Sequence, residues 1–186
     1  MHIYLPRKIV PIHREKHDSP FFFLAGPVRG GGDWQQEFSL KLNKARTDCS
    51  VALPMIRKDL GQLKEHVAQD NFRHTPNRQL DWETEYLLEA GLGKKPGCVV
   101  FWLEKESETE PHPGPEPYSM DTRGELGEWR TRLELQNARV VFGGNPEWHG
   151  FSQVERNIQR QIKDPEFRII TDMDDLVKEA LKVAYK

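Results

Sequence analysis

Five short apolar runs, each joined to the next by a stretch that reads as a helix, constrain this chain more than any other feature. The runs are Phe21-Phe22-Phe23-Leu24-Ala25, Ser50-Val51-Ala52-Leu53, Gly97–Leu103, 139–142 and 167–170. An apolar run without polar alternation is the mark of a strand covered on both faces. After Asp33, a plausible N-cap, Trp34, Phe38, Leu42 and Ala45 recur at helical spacing. A second helix is predicted over 76–90, with Leu80, Leu87 and Leu88 on its stripe, and a short one near 60–67. Others are predicted over 122–136 and 152–163, and Asp172 caps a closing helix that runs through Ala184. Strands alternating with helices imply a parallel sheet with helices on both faces. The expected fold is therefore a single α/β domain with a five-stranded sheet in the flavodoxin-like order 2-1-3-4-5. Its ligand crevice should lie at the switch point between strands 1 and 3.

Composition narrows the class. The chain has 186 residues, 37% hydrophobic and 30% charged, with a formal charge of -2. That suits one globular domain and leaves no electrostatic footprint for nucleic acid. No apolar run reaches the roughly 20 residues of a membrane span. Arg7, Lys8, His13, Arg14 and Lys16 interrupt any signal-peptide core, so the expected compartment is the cytoplasm. Cys49 and Cys98 fall in predicted strands and read as small buried hydrophobes. Residues 1–20, punctuated by Pro6, Pro11 and Pro20, read as an extended arm that can add an edge strand; residues 21–186 form the domain.

Two loops meet at the predicted crevice. Gly26-Pro27-Val28-Arg29 and Gly30-Gly31-Gly32 follow the first strand of the domain. The acidic segment 104–118, with Pro111, Pro113, Pro115 and Pro117, follows the third. The glycine run has neither dinucleotide nor P-loop spacing. The acidic segment leads into Ser119-Met120-Asp121-Thr122-Arg123-Gly124-Glu125-Leu126-Gly127. With Thr122 as N-cap, Glu125 takes the third helical position of a capping box, where the helix dipole favours its ionised form. A carboxylate so placed can attack a developing sugar cation. Arg29 and Arg123 flank the crevice and suit a substrate phosphate. Trp82 and Trp102 are the aromatics expected at the site mouth, where a base can stack.

The motifs Phe23-Leu24-Ala25-Gly26-Pro27, Asp81-Trp82-Glu83, Val99 to Leu103, Asp121 to Gly127, and Gly144-Asn145-Pro146 with Val154-Glu155 resemble the nucleoside 2-deoxyribosyltransferase-like family over about residues 21–162. The resemblance implies that Glu125 attacks C1′ of a nucleoside and forms a glycosyl ester, which a second base or water resolves. It implies that Glu83, or Asp81 in the competing register, holds the sugar hydroxyls and assists the leaving base. It further implies substrate contacts from Gly26, Pro27, Ser119, Asp121 and Asn145, no cofactor or metal, and a homo-oligomer acting on a small nucleoside or nucleotide. The chain departs from the family pattern at Phe23, where relatives carry tyrosine, and at Ser119, where they carry aspartate; Tyr118 or Asp121 stands nearby to compensate. A nucleoside monophosphate hydrolase and a non-catalytic nucleotide-binding module are the alternative readings.

Overall fold

The computed structural model describes residues 1–6, 9–55, 60–67 and 76–186, with side chains described from 79 in the last segment. The polar stretch 55–75 is therefore described only in part. Its predicted short helix is a 3-10 helix at Gly61–His66.

Strands β1 (His2–Tyr4), β2 (Phe21–Ala25), β3 (Ser50–Ala52), β4 (Gly97–Leu103) and β5 (Val140–Gly144) form one sheet in the order β1-β3-β2-β4-β5. Every pairing is parallel. Counted from β2, the domain's strands take the expected order 2-1-3-4. The fifth predicted run, 167–170, contributes a single bridge from Ile170 to Gly143 rather than a full strand. Ile169 joins the core on one face and Ile170 packs in part on the other, but Arg168 between Phe167 and Ile169 is exposed, and the backbone meets β5 only around Ile170. The sheet's fifth strand comes instead from the other edge, where β1 of the N-terminal arm pairs with β3. Arg14 anchors that arm by donating to the Ser19 and Pro96 carbonyls and pairing with Glu89 at 3.1 Å.

Helices α1 (Trp34–Ala45), α2 (Pro76–Leu92), α3 (Met120–Gln136), α4 (Phe151–Ile162) and α5 (Met173–Val183) cover both faces. Successive strand residues point to opposite faces, and the core divides accordingly. Phe22, Leu24, Val100 and Trp102 pack with Trp34, Phe38 and Leu176 of α1 and α5. Phe21, Phe23, Val99 and Phe101 pack with Trp82, Tyr86, Leu126, Trp129 and Ile158 of α2, α3 and α4. Cys49 and Cys98 are buried in strand positions or beside them, and burial pushes the Cys49 thiol up to about 12. The Asp172 cap is present, its carboxylate accepting from the Asp175 amide at 2.9 Å.

Two helices differ from the predicted pattern. Among the described residues of α2, Trp82, Tyr86, Leu87, Ala90 and Gly91 are buried, while Leu80 is 66% exposed. The bulk of the aromatic rings wins the core face, and the leucine spacing does not decide it. α3 begins two residues early, at Met120. Its N-cap is Ser119, held in the left-handed region at φ 57° without a side-chain cap bond. Thr122 is then a buried first-turn residue, and Glu125 lies in the second turn.

The seat of the Trp129 ring of α3 against α2 rests on a missing side chain. A Cβ at Gly91 would run into the ring of Trp129, which is fully buried. At Gly127, on α3, a Cβ would meet open space. Gly91→Ala is therefore expected to cost about 1–3 kcal/mol despite its better helix propensity. Gly127→Ala is expected to gain about 0.5–1 kcal/mol. Urea unfolding midpoints of the two variants check both signs.

Candidate active site

In a parallel sheet, helices run back against the strands, so the N-terminal halves of α2 and α3 lie over the carboxyl edge of β2 and β4. Those two strands are neighbours, and the chain leaves them in opposite directions: β2 leads to β3, and β4 leads to β5. This is the switch point, and the loops that follow both strands meet there.

The two loops touch. The Ser107 amide donates to the Gly30 carbonyl at 2.7 Å. Gly30 sits at φ 77°, where a Cβ would lie 2.8 Å from the His112 backbone nitrogen. Gly26 approaches the Trp102 carbonyl so closely that any side chain would collide with it. Pro27 is buried, and its carbonyl accepts from the Trp34 indole at 2.9 Å. Glycines thus allow the loop after β2 to lie against the end of β4. Arg29 at its tip is exposed.

Glu125 is half-buried on α3, and among the described residues no donor hydrogen-bonds its carboxyl. Burial, first, and then the charges of Glu83, Asp121 and Glu128 push its pKa up to about 8. The sequence expectation of an ionised first-turn carboxylate is corrected here. Glu125 lies a turn too far along α3 for the dipole to dominate, and among the described residues no cation offsets the loss of water. Glu83 is the charge that acts on it most strongly. The structure thereby brings together α2 and α3 through the pair Glu83 and Glu125. Gln79 holds the Glu83 carboxylate at 2.7 Å. Asp81, the competing register, is exposed and is not among the charges that act on Glu125.

The remaining predicted residues divide. Asp121 is exposed, and its charge reaches Glu125. Ser119 is buried, and its hydroxyl accepts from the Trp148 indole at 3.2 Å. Arg123 stacks over Trp148 at 4.3 Å and donates to the His149 carbonyl at 2.7 Å. Asn145 donates to Glu104 at 3.2 Å and accepts from the Glu147 amide at 3.0 Å. The Tyr118 hydroxyl donates to the Glu104 carbonyl at 2.8 Å, so it is spent on the loop. Neither expected stacking tryptophan offers an open face. Trp82 is fully buried against Phe23 and Tyr86, and the Trp102 indole donates to Glu104 at 2.7 Å.

Two features of the site went unread in the sequence. Glu104 is the first residue beyond β4, and its carboxylate gathers Trp102, Asn145 and the Lys105 amide. Its place directly after a central apolar strand was the available signal. Among the described residues, the buried Trp82 indole nitrogen has no hydrogen-bond partner. A buried donor left unsatisfied beside the site is a binding group in waiting or a cost to the fold. Nothing in a single sequence marks it.

The Glu125 shift has a definite sign. A carboxyl protonated more readily in the folded state than in the unfolded one stabilises the fold most at low pH. That contribution is lost as pH rises from the ordinary glutamate range through about 8. Thermal unfolding between pH 5 and 9 should therefore show a decline in Tm that is smaller in Glu125→Gln, whose amide has no charge to bury. Equal declines would show that Glu125 titrates normally.

Comparison of the chain with protein-family models, with curated proteins and with solved structures found no match.

Proposed function

We propose that this protein cleaves the N-glycosidic bond of a nucleoside, transferring the sugar to another base or to water, as in the nucleoside 2-deoxyribosyltransferase-like family that its motifs resemble. The observation that carries the reading is the pair of carboxyl groups on facing helices at the switch point. Glu125 is half-buried, no donor among the described residues hydrogen-bonds its carboxyl, and the charge of Glu83 adds to burial in raising its pKa.

The chemistry follows from that pair. The ionised Glu125 carboxylate attacks C1′ as the bond to the base nitrogen breaks, and the electron pair of that bond leaves with the base. In the reactive form the coupled pair holds one proton, on Glu83, which delivers it to the departing nitrogen. Positive charge builds on the sugar in between, and the surrounding carboxylates of Glu83 and Asp121 favour it. A second base or a water molecule then attacks C1′ and releases Glu125, while Glu83 takes up the incoming proton. The half-buried site withholds water, which keeps the ester available to an acceptor base. The reading includes a homo-oligomer, because relatives complete their sites across subunits.

The same geometry favours a nucleoside over a nucleotide. Arg123 is engaged by Trp148 and His149, which leaves Arg29 as the arginine of the two that can meet a phosphate. Glu104, Glu106, Glu108, Glu110 and Glu116 line the loop that faces it, and their charges repel an anion. The nucleotide hydrolase remains the second reading, on the strength of the exposed Arg29.

Glu125→Gln is expected to lower base release by several orders of magnitude while the protein stays folded, measured with deoxynucleosides in the presence and absence of an acceptor base. Near-normal turnover in this variant would rule out Glu125 as nucleophile. In the wild type, kcat/KM should rise about tenfold per pH unit on the acid side up to near pH 8, where the free carboxyl ionises, and fall again once the pair has lost the proton that the leaving base needs.

Arg29→Ala separates the two substrate readings. Loss of a charge-assisted contact to phosphate costs about 1.5–3 kcal/mol, a ten- to hundredfold weakening. For the nucleoside reading, affinities of Arg29→Ala for nucleoside and nucleotide should both match wild type. A large loss confined to the nucleotide would promote the hydrolase.

A further inference from the structure

The segment between β4 and α3 is built as one body. The Tyr118 hydroxyl closes its neck by donating to the Glu104 carbonyl at 2.8 Å. Inside it, the His112 amide donates to the Glu106 carboxylate at 2.9 Å, and the Glu110 amide donates to the Ser107 hydroxyl at 3.1 Å. Pro111, Pro113, Pro115 and Pro117 are exposed, and their fixed φ stiffens the returning half. A surface loop with its ends together is held in this way by its own groups. Both ends are fixed to the domain: Glu104 by Trp102 and Asn145, and Ser119 by Trp148. The body meets the opposite loop at Gly30. There the Ser107 amide donates to the Gly30 carbonyl at 2.7 Å, and His112 and Tyr118 rest against the space that the glycine leaves empty. The closed position also has a cost. Among the described residues, the buried His112 Nε2 has no hydrogen-bond partner. It lies 3.1 Å from where a Cβ of Gly114 would stand, with the Glu116 carboxylate against the same glycine.

We propose that residues 104–118 form a lid that swings as one body about Glu104 and Ser119, latched on Gly30 and poised to open because closure buries His112 Nε2. The bonds inside the lid are the same whether it is open or shut, so the cost of opening falls on the Gly30 contact. A backbone hydrogen bond exposed to water shifts such an equilibrium by only about two- to tenfold. Against it stands a polar atom shut away without a partner, a penalty of similar size or larger. Opposing effects of like magnitude keep both positions accessible, as a segment that admits a ligand requires. The hinges lie where such motions place them, at the end of a strand and the start of a helix. The lid roofs the carboxyl ends of β2 and β4, where its loop and the glycine loop meet. That a nucleoside enters beneath it rests on the proposed function; the motion itself does not.

Amide hydrogen exchange of the full chain, resolved by residue at neutral pH, reads the motion without any substrate. The Ser107 amide reports the latch, and the Glu110 and His112 amides report the interior of the lid. Gly30→Ala drives a Cβ to 2.8 Å from the His112 nitrogen. It should speed exchange at Ser107 by about fivefold or more while Glu110 and His112 keep their wild-type rates. His112→Leu keeps the backbone amide and removes the buried nitrogen, so exchange at Ser107 should slow by about fivefold. It decides the matter if Gly30→Ala does not fold. Equal acceleration of all three amides in Gly30→Ala would mean a loop that unravels and would overturn a lid that moves as a body. An unchanged Ser107 amide in folded Gly30→Ala, or a faster one in His112→Leu, would overturn the latch. Base release from a deoxynucleoside is measured in the same proteins. With entry beneath the lid, kcat/KM should follow the Ser107 exchange rate, up in Gly30→Ala and down in His112→Leu; exchange that shifts while kcat/KM stays put would take the lid off the path of the substrate. Exchange that shifts as expected with no base release even in wild type upholds the lid and removes the proposed reaction.

Discussion

The parallel pairing of β2 with β4 is the contact on which the rest of this molecule depends. Both strands are buried throughout, and each residue of Phe21–Ala25 stands against one of Gly97–Phe101. From that pair the chain departs to opposite sides, and right-handed crossovers then leave no choice about the layers. α1 goes to one face, and α2 and α3 go to the other. The loops after β2 and β4 are brought together at one edge, and two helices that carry acidic residues start above it. Remove the pairing and Glu83 and Glu125, 42 residues apart in the chain, have no reason to meet.

Among the described residues, the charges that act on Glu125 at that edge are acidic, and several neighbouring cations are engaged elsewhere. Arg123 faces Trp148, Arg132 is paired with Glu128 at 2.6 Å, and Lys105 is paired with Glu147 at 2.6 Å. Exposed pairs such as the last two contribute little to stability, but they do occupy the cations. Glu125 therefore keeps its proton near neutral pH. A group of that kind suits a reaction in which positive charge appears only transiently. It would suit a permanently anionic ligand poorly, which is the physical content of the preference for a nucleoside.

Much of the layered fold was legible because strand burial and helix capping are local signals. Phe21–Ala25 and Gly97–Leu103 announce strands covered on two faces, and Asp172 caps α5 as its position suggests. The glycine at 26 stands where the two loops need a close approach. The start of α3 was misplaced by two residues because its determinant is distant. Ser119 caps the helix from a left-handed conformation stabilised by Trp148, and no rule of local spacing sees that tryptophan. The stripe on α2 was misassigned for a related reason: Leu80 and Trp82 both fit a helix, and only the space beside Phe23 chooses between them. The run at 167–170 shows the limit of apolar content, since a strand also needs a free neighbour in register along its length, and here one bridge suffices.

The sequence by itself determined the class of the molecule, the order of its strands and the edge at which the loops after β2 and β4 meet, because hydrophobic period and chain handedness act over short distances and admit few solutions. It also singled out Glu125 and Glu83 as candidates. Only the tertiary structure set Glu83, and not Asp81, among the charges that act on Glu125, engaged Ser119 and Arg123 with Trp148, drew Glu104 to Trp102 and Asn145, and reversed the expected ionisation of Glu125. Ionisation depends on how much water a carboxyl has lost and on which charges lie within a few ångströms of it. Both are properties of segments far apart in the chain, and they exist only once the chain has closed on itself.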